Sequence, residues 1–338
     1  MMKEKWNVLG NIGKSLILPV FIFLIFTVAT GGSFFNKRMM IMIVKQSLFP
    51  CLIAWGISFN MAMGMFDLSA GSVIVLSGIL GGNLAAMTHT GAVGMIVFTI
   101  LAACVLSLLN FLVYVNLKIP SMIMSLGMLM IYETLTAVLF GGNGVTVPAE
   151  WRFLYSEPYI YLVFFGAFLI LFYINKYTKF AFDVRSLGNG TDIAMNIGVN
   201  LTKTRLKSFL LAGVFLGLAT VIDMSVTGSE KAVQNMASSS TAFGAIMAVF
   251  VGIYLAKYCG MVAGTFIGAL SLKILALGTL AVGMSAQMQK VSNGIFLVVF
   301  VGLSQNLRLI DVKRREERLR KQLLLEIGQG QADAGQKS

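Results

Sequence analysis

Long uncharged apolar runs, separated by short polar breaks, make up most of the chain. A bilayer core about 30 Å thick needs about 20 apolar residues per helix. That ruler lays out ten spans, at 15–31, 47–66, 69–87, 92–116, 120–140, 159–177, 209–227, 241–257, 260–281 and 291–309. The second run also admits a start near Met39. The third is short and Gly-rich enough to be a broken or re-entrant element, so nine to eleven spans fit the pattern. Three breaks exceed a tight turn: 141–158, 178–208 and 228–240. The pattern predicts an all-α, multi-pass membrane protein with one membrane domain over 1–310 and a tail over 311–338. In that tail, 311–327 has mixed charge and reads as a short surface helix, while the Gly/Gln-rich end is disordered by composition.

Composition agrees. Of 338 residues, 57% are hydrophobic and 12% charged, and the mean hydropathy is +0.84. A soluble domain carries about 25% charged residues, so this chain lacks the charge to cover a water-soluble globule. An ordinary soluble enzyme and a disordered chain are both excluded. Five prolines also argue against a loop-rich β fold.

The net charge of +12 acquires meaning from its placement. With an internal N-terminus, the cytoplasmic segments hold 19 Lys and Arg, the outer segments hold 6, and Lys273 lies in a span. This is the positive-inside distribution, and it predicts both termini in the cytoplasm for an even number of spans. It leaves no basic surface that calls for nucleic acid. The stretch 15–30 follows Lys3, Lys5 and Lys14 in the manner of a signal peptide, but it is long and no cleavage site follows. It is expected to stay as the first anchor.

Several chemistries can be set aside. Cys51, Cys104 and Cys259 are far apart and lack a C-x-x-C, and His89 is the only histidine, so no zinc set can be assembled. The segment Gly10-Asn11-Ile12-Gly13-Lys14-Ser15 ends like a phosphate loop, but Val8 stands where the first glycine is needed and no strand precedes it. No catalytic residue, metal or bound cofactor is therefore expected, and any ATP hydrolysis belongs to another subunit.

The most informative break is 178–208. Gly188-Asn189-Gly190 signals a turn. Thr191 or Asp192 can cap a helix that runs about two turns to Gly198, and Asn200 and Thr202 can start the next. A short helix lying on the membrane surface can dock into a groove of a partner.

The spacing Asp192-x-Ala194-x-x-x-Gly198 resembles the E-A-A-x-x-x-G loop of ATP-binding-cassette (ABC) importer permeases. The longer stretch SLGNGTDIAMNIGVN is similar to the ribose-type, or simple-sugar, branch, with Asp192 for Glu, Ile193 for Ala and Ile197 for Ser as departures. A second match is Met63-Gly64-Met65-Phe66-Asp67-Leu68-Ser69-Ala70-Gly71-Ser72, which resembles that family's G-G-I-D-L-S-V-G-S. A third, weaker one ends in GMVAGTFIGAL at 260–270. The resemblance implies a ten-span permease that pairs with a second copy or a paralogue. It also implies an ABC ATPase subunit, which carries ATP and Mg, and an extracytoplasmic sugar-binding protein. In that family the loop is the ATPase-coupling element, which here falls on Gly188, Asn189, Asp192, Ala194 and Gly198. Ribose, another pentose or hexose, a sugar-like signal and a nucleoside all remain open as the solute.

Other polar residues in the spans are read on their own chemistry. Asp67 is costly in hydrocarbon unless paired or wet; with Ser69 and Ser72 it reads either as a helix cap or as a gating element beside the pathway. Asn60 and Glu133 are further pathway candidates, and Asp223 and Lys273 are the remaining ionisable groups near span interiors. Gly260, Gly264 and Gly268 recur every four residues, on one helix face, and predict close helix packing. The main rival is a stand-alone secondary carrier or channel, for which Glu133 and Lys273 speak. It leaves the 188–200 loop without a purpose. The expected location is the cytoplasmic membrane, in contact with lipid.

Overall fold

A chain surrounded by hydrocarbon must pair its N–H and C=O groups internally, and the apolar runs accordingly fold as continuous helices. The computed structural model describes residues 2–285, 287–296, 298–300 and 302, with side chains from residue 13 onward. The elements are α1 (Met2–Ala29), α2 (Lys37–Ala62), α3 (Ala70–Met87), α4 (Gly91–Leu117), α5 (Ser121–Val138), β1 (Val145–Thr146), α6 (Tyr159–Tyr177), α7 (Lys179–Gly188), α8 (Thr191–Asn196), α9 (Leu201–Thr227), β2 (Ser229–Glu230), α10 (Ser239–Cys259) and α11 (Met261–Ala281). Among the described residues, eight helices are long and apolar enough to cross a membrane, and the apolar part of α1, Gly13–Ala29, is shorter. The protein is a multi-pass, all-α membrane protein.

The sequence ruler places most spans within a few residues. It misses where charge sits inside a helix. Helix α2 starts at Lys37, beside the alternative start near Met39 and not at 47, and α9 starts at Leu201 rather than 209. Lys45 in the one and Lys203, Arg205 and Lys207 in the other stopped the count, yet such side chains reach the interface while their helix continues. Helix α3 is neither broken nor re-entrant but continuous from Ala70 to Met87. Its glycines serve packing: a Cβ on Gly81 would overlap Thr99 of α4. The tenth span lies partly outside the described residues; 287–296 and 298–300 are helical. The tail 311–338 lies wholly outside them.

Residues Met1–Ser285 form one body, with α2 at its centre. Every residue from Cys51 to Asn60 is buried, because α9, α10 and α11 pack around it. Trp55 Nε1 donates to the Val262 carbonyl of α11 at 3.0 Å, and its ring stacks on Phe164 of α6 at 4.8 Å. Helix α9 lies along α4, where a Cβ on Gly213 or Gly217 would come within 2.7 Å of α4 backbone at Cys104 or Ile100. Helices α10 and α11 pair in the same way. The outward faces stay apolar: Leu162, Phe165, Leu169 and Ile170 of α6 are all exposed. In water such a face would drive aggregation; in a bilayer it meets lipid tails.

The two faces of the bundle differ. One carries α7 and α8. The other carries the two-stranded sheet of β1 and β2, paired antiparallel with Val145 opposite Glu230. Arg152 locks that face, donating from Nε to Ser225 O at 3.0 Å and from Nη2 to Val226 O at 2.7 Å. These are end carbonyls of α9, where a cation also offsets the negative helix terminus.

Candidate functional site

Three features stand out, and two of them meet. The first is the surface motif over 178–200. Helix α7 is amphipathic, with Ala181, Val184 and Leu187 buried, and Thr178 Oγ1 accepts from Ala181 N at its start. Its last residue, Gly188, lies against the end of α2: a Cβ there would overlap the Ala62 carbonyl. Asn189 caps α7 through its backbone N–H, 3.2 Å from Arg185 O. The cap of α8 is Gly190 (φ 140), with no side-chain bond, so neither Thr191 nor Asp192 takes that role. Asp192 is instead in the first turn, where an acid suits the positive helix end.

Helix α8 ends in a Schellman motif. Gly198 N–H donates to Met195 O at 2.9 Å and Val199 N–H to Ala194 O at 3.0 Å, with Gly198 at φ 80. This is the left-handed position that favours glycine. Asn200 Oδ1 then accepts from Lys203 N at 3.0 Å and starts α9, as the sequence predicts. Only Ala194 of α8 is buried. Ile193, Met195 and Ile197 are 57%, 50% and 56% exposed. A six-residue helix pinned at both ends thus presents three apolar side chains on a polar, basic surface.

The second feature begins where Gly188 makes its contact. After α2 the chain turns at Gly64 (φ 76) and reaches Asp67, which is only 3% exposed. Asp67 Oδ1 accepts from Ser69 N at 3.0 Å and Ser69 Oγ at 2.5 Å. Ser69 Oγ in turn accepts from Asn110 Nδ2 at 2.7 Å, and Tyr132 O–H donates to Asn110 Oδ1 at 3.0 Å. Ser72 Oγ donates to Ser69 O at 2.8 Å. The Asp67 side chain thus braces the start of α3 while the network ties α3 to α4 and α5. Asn60 faces the other way: its Oδ1 accepts from Ser208 Oγ of α9 at 2.5 Å, and its Nδ2 is buried with no partner among the described residues.

The third feature is a cleft of about 320 Å³ lined by Met130, Glu133, Thr134, Gln234, Asn235 and Met236. Glu133 is 3% exposed. Its Oε1 accepts from Ser238 N at 2.8 Å and Ser238 Oγ at 2.6 Å, and its Oε2 from Met236 N at 2.7 Å. It thereby holds Asn235 and Met236 in the left-handed region, both at φ 59. The turn lies deep. A Cβ on Gly71 would overlap the Ser238 carbonyl, and Gly71 is 16 residues, about 24 Å of helix, from Met87 at the β1–β2 end of α3. Non-helical backbone at such depth is tolerated only where protein covers it or water reaches it. Here Glu133 takes up N–H groups of the turn, and Gln234 and Asn235 are exposed.

The remaining residues have other places. Gly264 and Gly268 of α11 approach Gly252 O and Ala248 O of α10, at 2.7 and 2.5 Å for an added Cβ. Gly260 differs: it turns the chain between α10 and α11 at φ 81, with open space around it. Lys273 is half-buried on α11. Asp223 lies near Glu230 on the β1–β2 face, and the Glu230 carboxyl is pushed up to about 8 by burial first and the Asp223 charge second. The sequence reading singled out neither Tyr132 nor Ser238. Tyr132 adjoins Glu133 in a span, and Ser238 opens a Ser triplet before an apolar run, which is a helix-start signal. No group of metal-binding side chains occurs among the described residues.

Residues 39–302 match the family described as branched-chain amino acid transport system, permease component. The chain is 27% identical over 299 residues to the ribose import permease protein RbsC of Bacillus subtilis (strain 168), covering 85% of this chain and 91% of the relative. It is 23% identical over 311 residues to the fructose import permease protein FrcC of Rhizobium meliloti, covering 87% and 85%. It is 27% identical over 272 residues to the autoinducer 2 import system permease protein LsrC of Klebsiella pneumoniae, covering 78% and 77%.

Proposed function

The chain belongs to the family of permease components of branched-chain amino acid transport systems, and we propose that it is the membrane subunit of an ABC importer for a simple sugar or a related neutral solute. The observation that carries this reading is α8. A short helix fixed by Gly190 and Gly198, with Ile193, Met195 and Ile197 turned outward, is built to seat in a groove of another protein. The partner is the ATPase subunit, which holds ATP and Mg. The α8 face is then cytoplasmic, in keeping with the basic residues on that side. The β1–β2 face receives the extracytoplasmic binding protein, and a second copy or a paralogue completes the passage.

Motion enters through contact. ATP binding closes the ATPase pair and shifts α8. Gly188 bears on the Ala62 carbonyl, so the shift reaches the end of α2 and the Asp67 turn. The Asp67–Ser69–Asn110–Tyr132 network passes it to α3, α4 and α5. Packed helices switch between discrete arrangements rather than deforming smoothly, and the bundle alternates access by such a switch.

The solute class follows from the cleft. Both Glu133 oxygens are taken by donors of the protein. The side-chain amides of Gln234 and Asn235 line the cleft, and the Thr134 hydroxyl, which donates to Met130 O at 2.8 Å, can still accept. These neutral groups match hydroxyls, and the one charged group of the lining, Glu133, is already engaged by protein donors. The three relatives named above, for ribose, fructose and autoinducer 2, point the same way. The saturated Glu133 also removes the main support for a proton-coupled carrier.

The test is uptake of labelled ribose, fructose and leucine into proteoliposomes holding the permease, its ATPase and its binding protein. Sugar uptake that requires ATP supports the proposal. Uptake by the permease alone, without ATP, makes it a carrier; uptake of leucine over both sugars overturns the solute class.

A further inference from the structure

On the α8 face, the end of α4 meets the first turns of α9. Lys118 follows α4 in the left-handed conformation, φ 53. Arg205 lays its guanidinium over the Tyr114 ring, 5.4 Å from the centroid. Tyr114, Val115, Lys118, Ile119, Thr202 and Arg205 line a cleft of about 410 Å³. Two of the six are cations and none is an acid. Arg205 Nε is buried and has no hydrogen-bond partner among the described residues. Leu112 and Leu117, in the same last turns of α4, are exposed and apolar.

A buried donor left unpaired costs about 1–3 kcal/mol, and more when charged. Arg205 is therefore short of an acceptor that the described residues do not supply. Its orientation is set by Tyr114, so the planar fork faces the cleft at little further loss of freedom. A phosphate oxygen satisfies the Nε–H, with Lys118 adding a second charge and Thr202 a hydroxyl. Basic pockets between helices on the cytoplasmic side are suited to lipid head groups, and exposed Leu112 and Leu117 are suited to their chains.

We propose that the Arg205–Lys118 cleft is a binding site for a phosphate group, supplied by an anionic lipid head group or by free phosphate. The site is separate from the solute cleft and does not depend on which solute is carried.

The test is the thermal midpoint of the full-length protein in detergent, titrated separately with short-chain phosphatidylglycerol, short-chain phosphatidylcholine and inorganic phosphate. Phosphatidylglycerol should raise the midpoint. Arg205→Gln should weaken its apparent affinity about 10- to 100-fold, the loss of one charge-assisted bond, and Arg205→Lys should fall between. Lys207→Gln, two residues along the same helix and outside the cleft, should keep wild-type affinity. Protection by the lipids alone assigns the site to a head group; protection by inorganic phosphate as well assigns it to the phosphate group itself. If Arg205→Gln does not fold, Lys118→Gln and Arg205→Lys carry the comparison. No protection by any of the three ligands overturns the site. So does protection that survives in the cleft variants, or is lost equally in Lys207→Gln.

Discussion

Glu133 shows how much depends on one side chain at bilayer depth. Three donors from 236–238 converge on its carboxylate, and Asn235 and Met236 are left-handed there. Glu133→Ala leaves those donors buried and unpaired, and is expected to cost about 2–4 kcal/mol, read as a lower thermal midpoint in detergent. Glu133→Gln should recover part of the loss, since one amide oxygen can still accept from Ser238. A wild-type midpoint in the alanine variant would show that the turn does not rest on Glu133. Asn110→Ala is milder, because polar contacts between membrane helices are worth about 0.6 kcal/mol and at most about 1.7. Glu230 gives a pH test. Its carboxyl is held up to about 8 on the β1–β2 face, so the folded state keeps a proton that the unfolded state loses above about 4.3. Its contribution is full below the unfolded value and declines as pH rises towards about 8. Glu230→Gln should flatten that decline and be the more stable form at pH 9. Unchanged slopes in both forms would remove the effect. The sequence singled out Glu133 by its cost in hydrocarbon. It did not reveal the partners, because they lie about a hundred positions away and become neighbours only through helix packing.

At the scale of the element, α8 is the piece most legible in the chain and the one with the clearest mechanical attachment. Gly198 at φ 80 has no space restriction around it, so its requirement is conformational. Gly198→Ala is expected to cost about 1 kcal/mol, read as weaker coupling of ATP hydrolysis to uptake with normal membrane insertion. Gly188 has the opposite requirement, since any Cβ meets the Ala62 carbonyl. Gly188→Val should separate α7 from α2, and ATP hydrolysis should then proceed without transport. Retained transport in Gly188→Val would show that the Ala62 contact carries no motion. The turn residues 188–190 and 198 could be read from glycine spacing. The cap could not: Gly190 was chosen over Thr191 and Asp192 because its backbone (φ 140) reaches a conformation those residues avoid.

For the molecule as a whole, the order of spans follows from hydropathy, but the depth at which they begin does not. That α3 and α10 start together well inside the bundle rests on Gly71 and Ser238, a contact with no local signature. The same limit applies to α9, whose Gly213 and Gly217 show a small-x-x-x-small spacing without naming α4 as the partner. Gly268→Leu should disrupt the α10–α11 pair, at a cost of about 1–3 kcal/mol for overpacking, while Gly260→Ala should act only through its positive φ. The measurement that bears most directly on the central claim is co-purification with the ATPase, for wild type, Ile193→Asp and Gly198→Pro. The account predicts that wild type retains the ATPase in stoichiometric amount, and that both variants insert normally but lose it. Equal retention by all three, or a wild type that never binds the ATPase yet carries sugar alone, would contradict it.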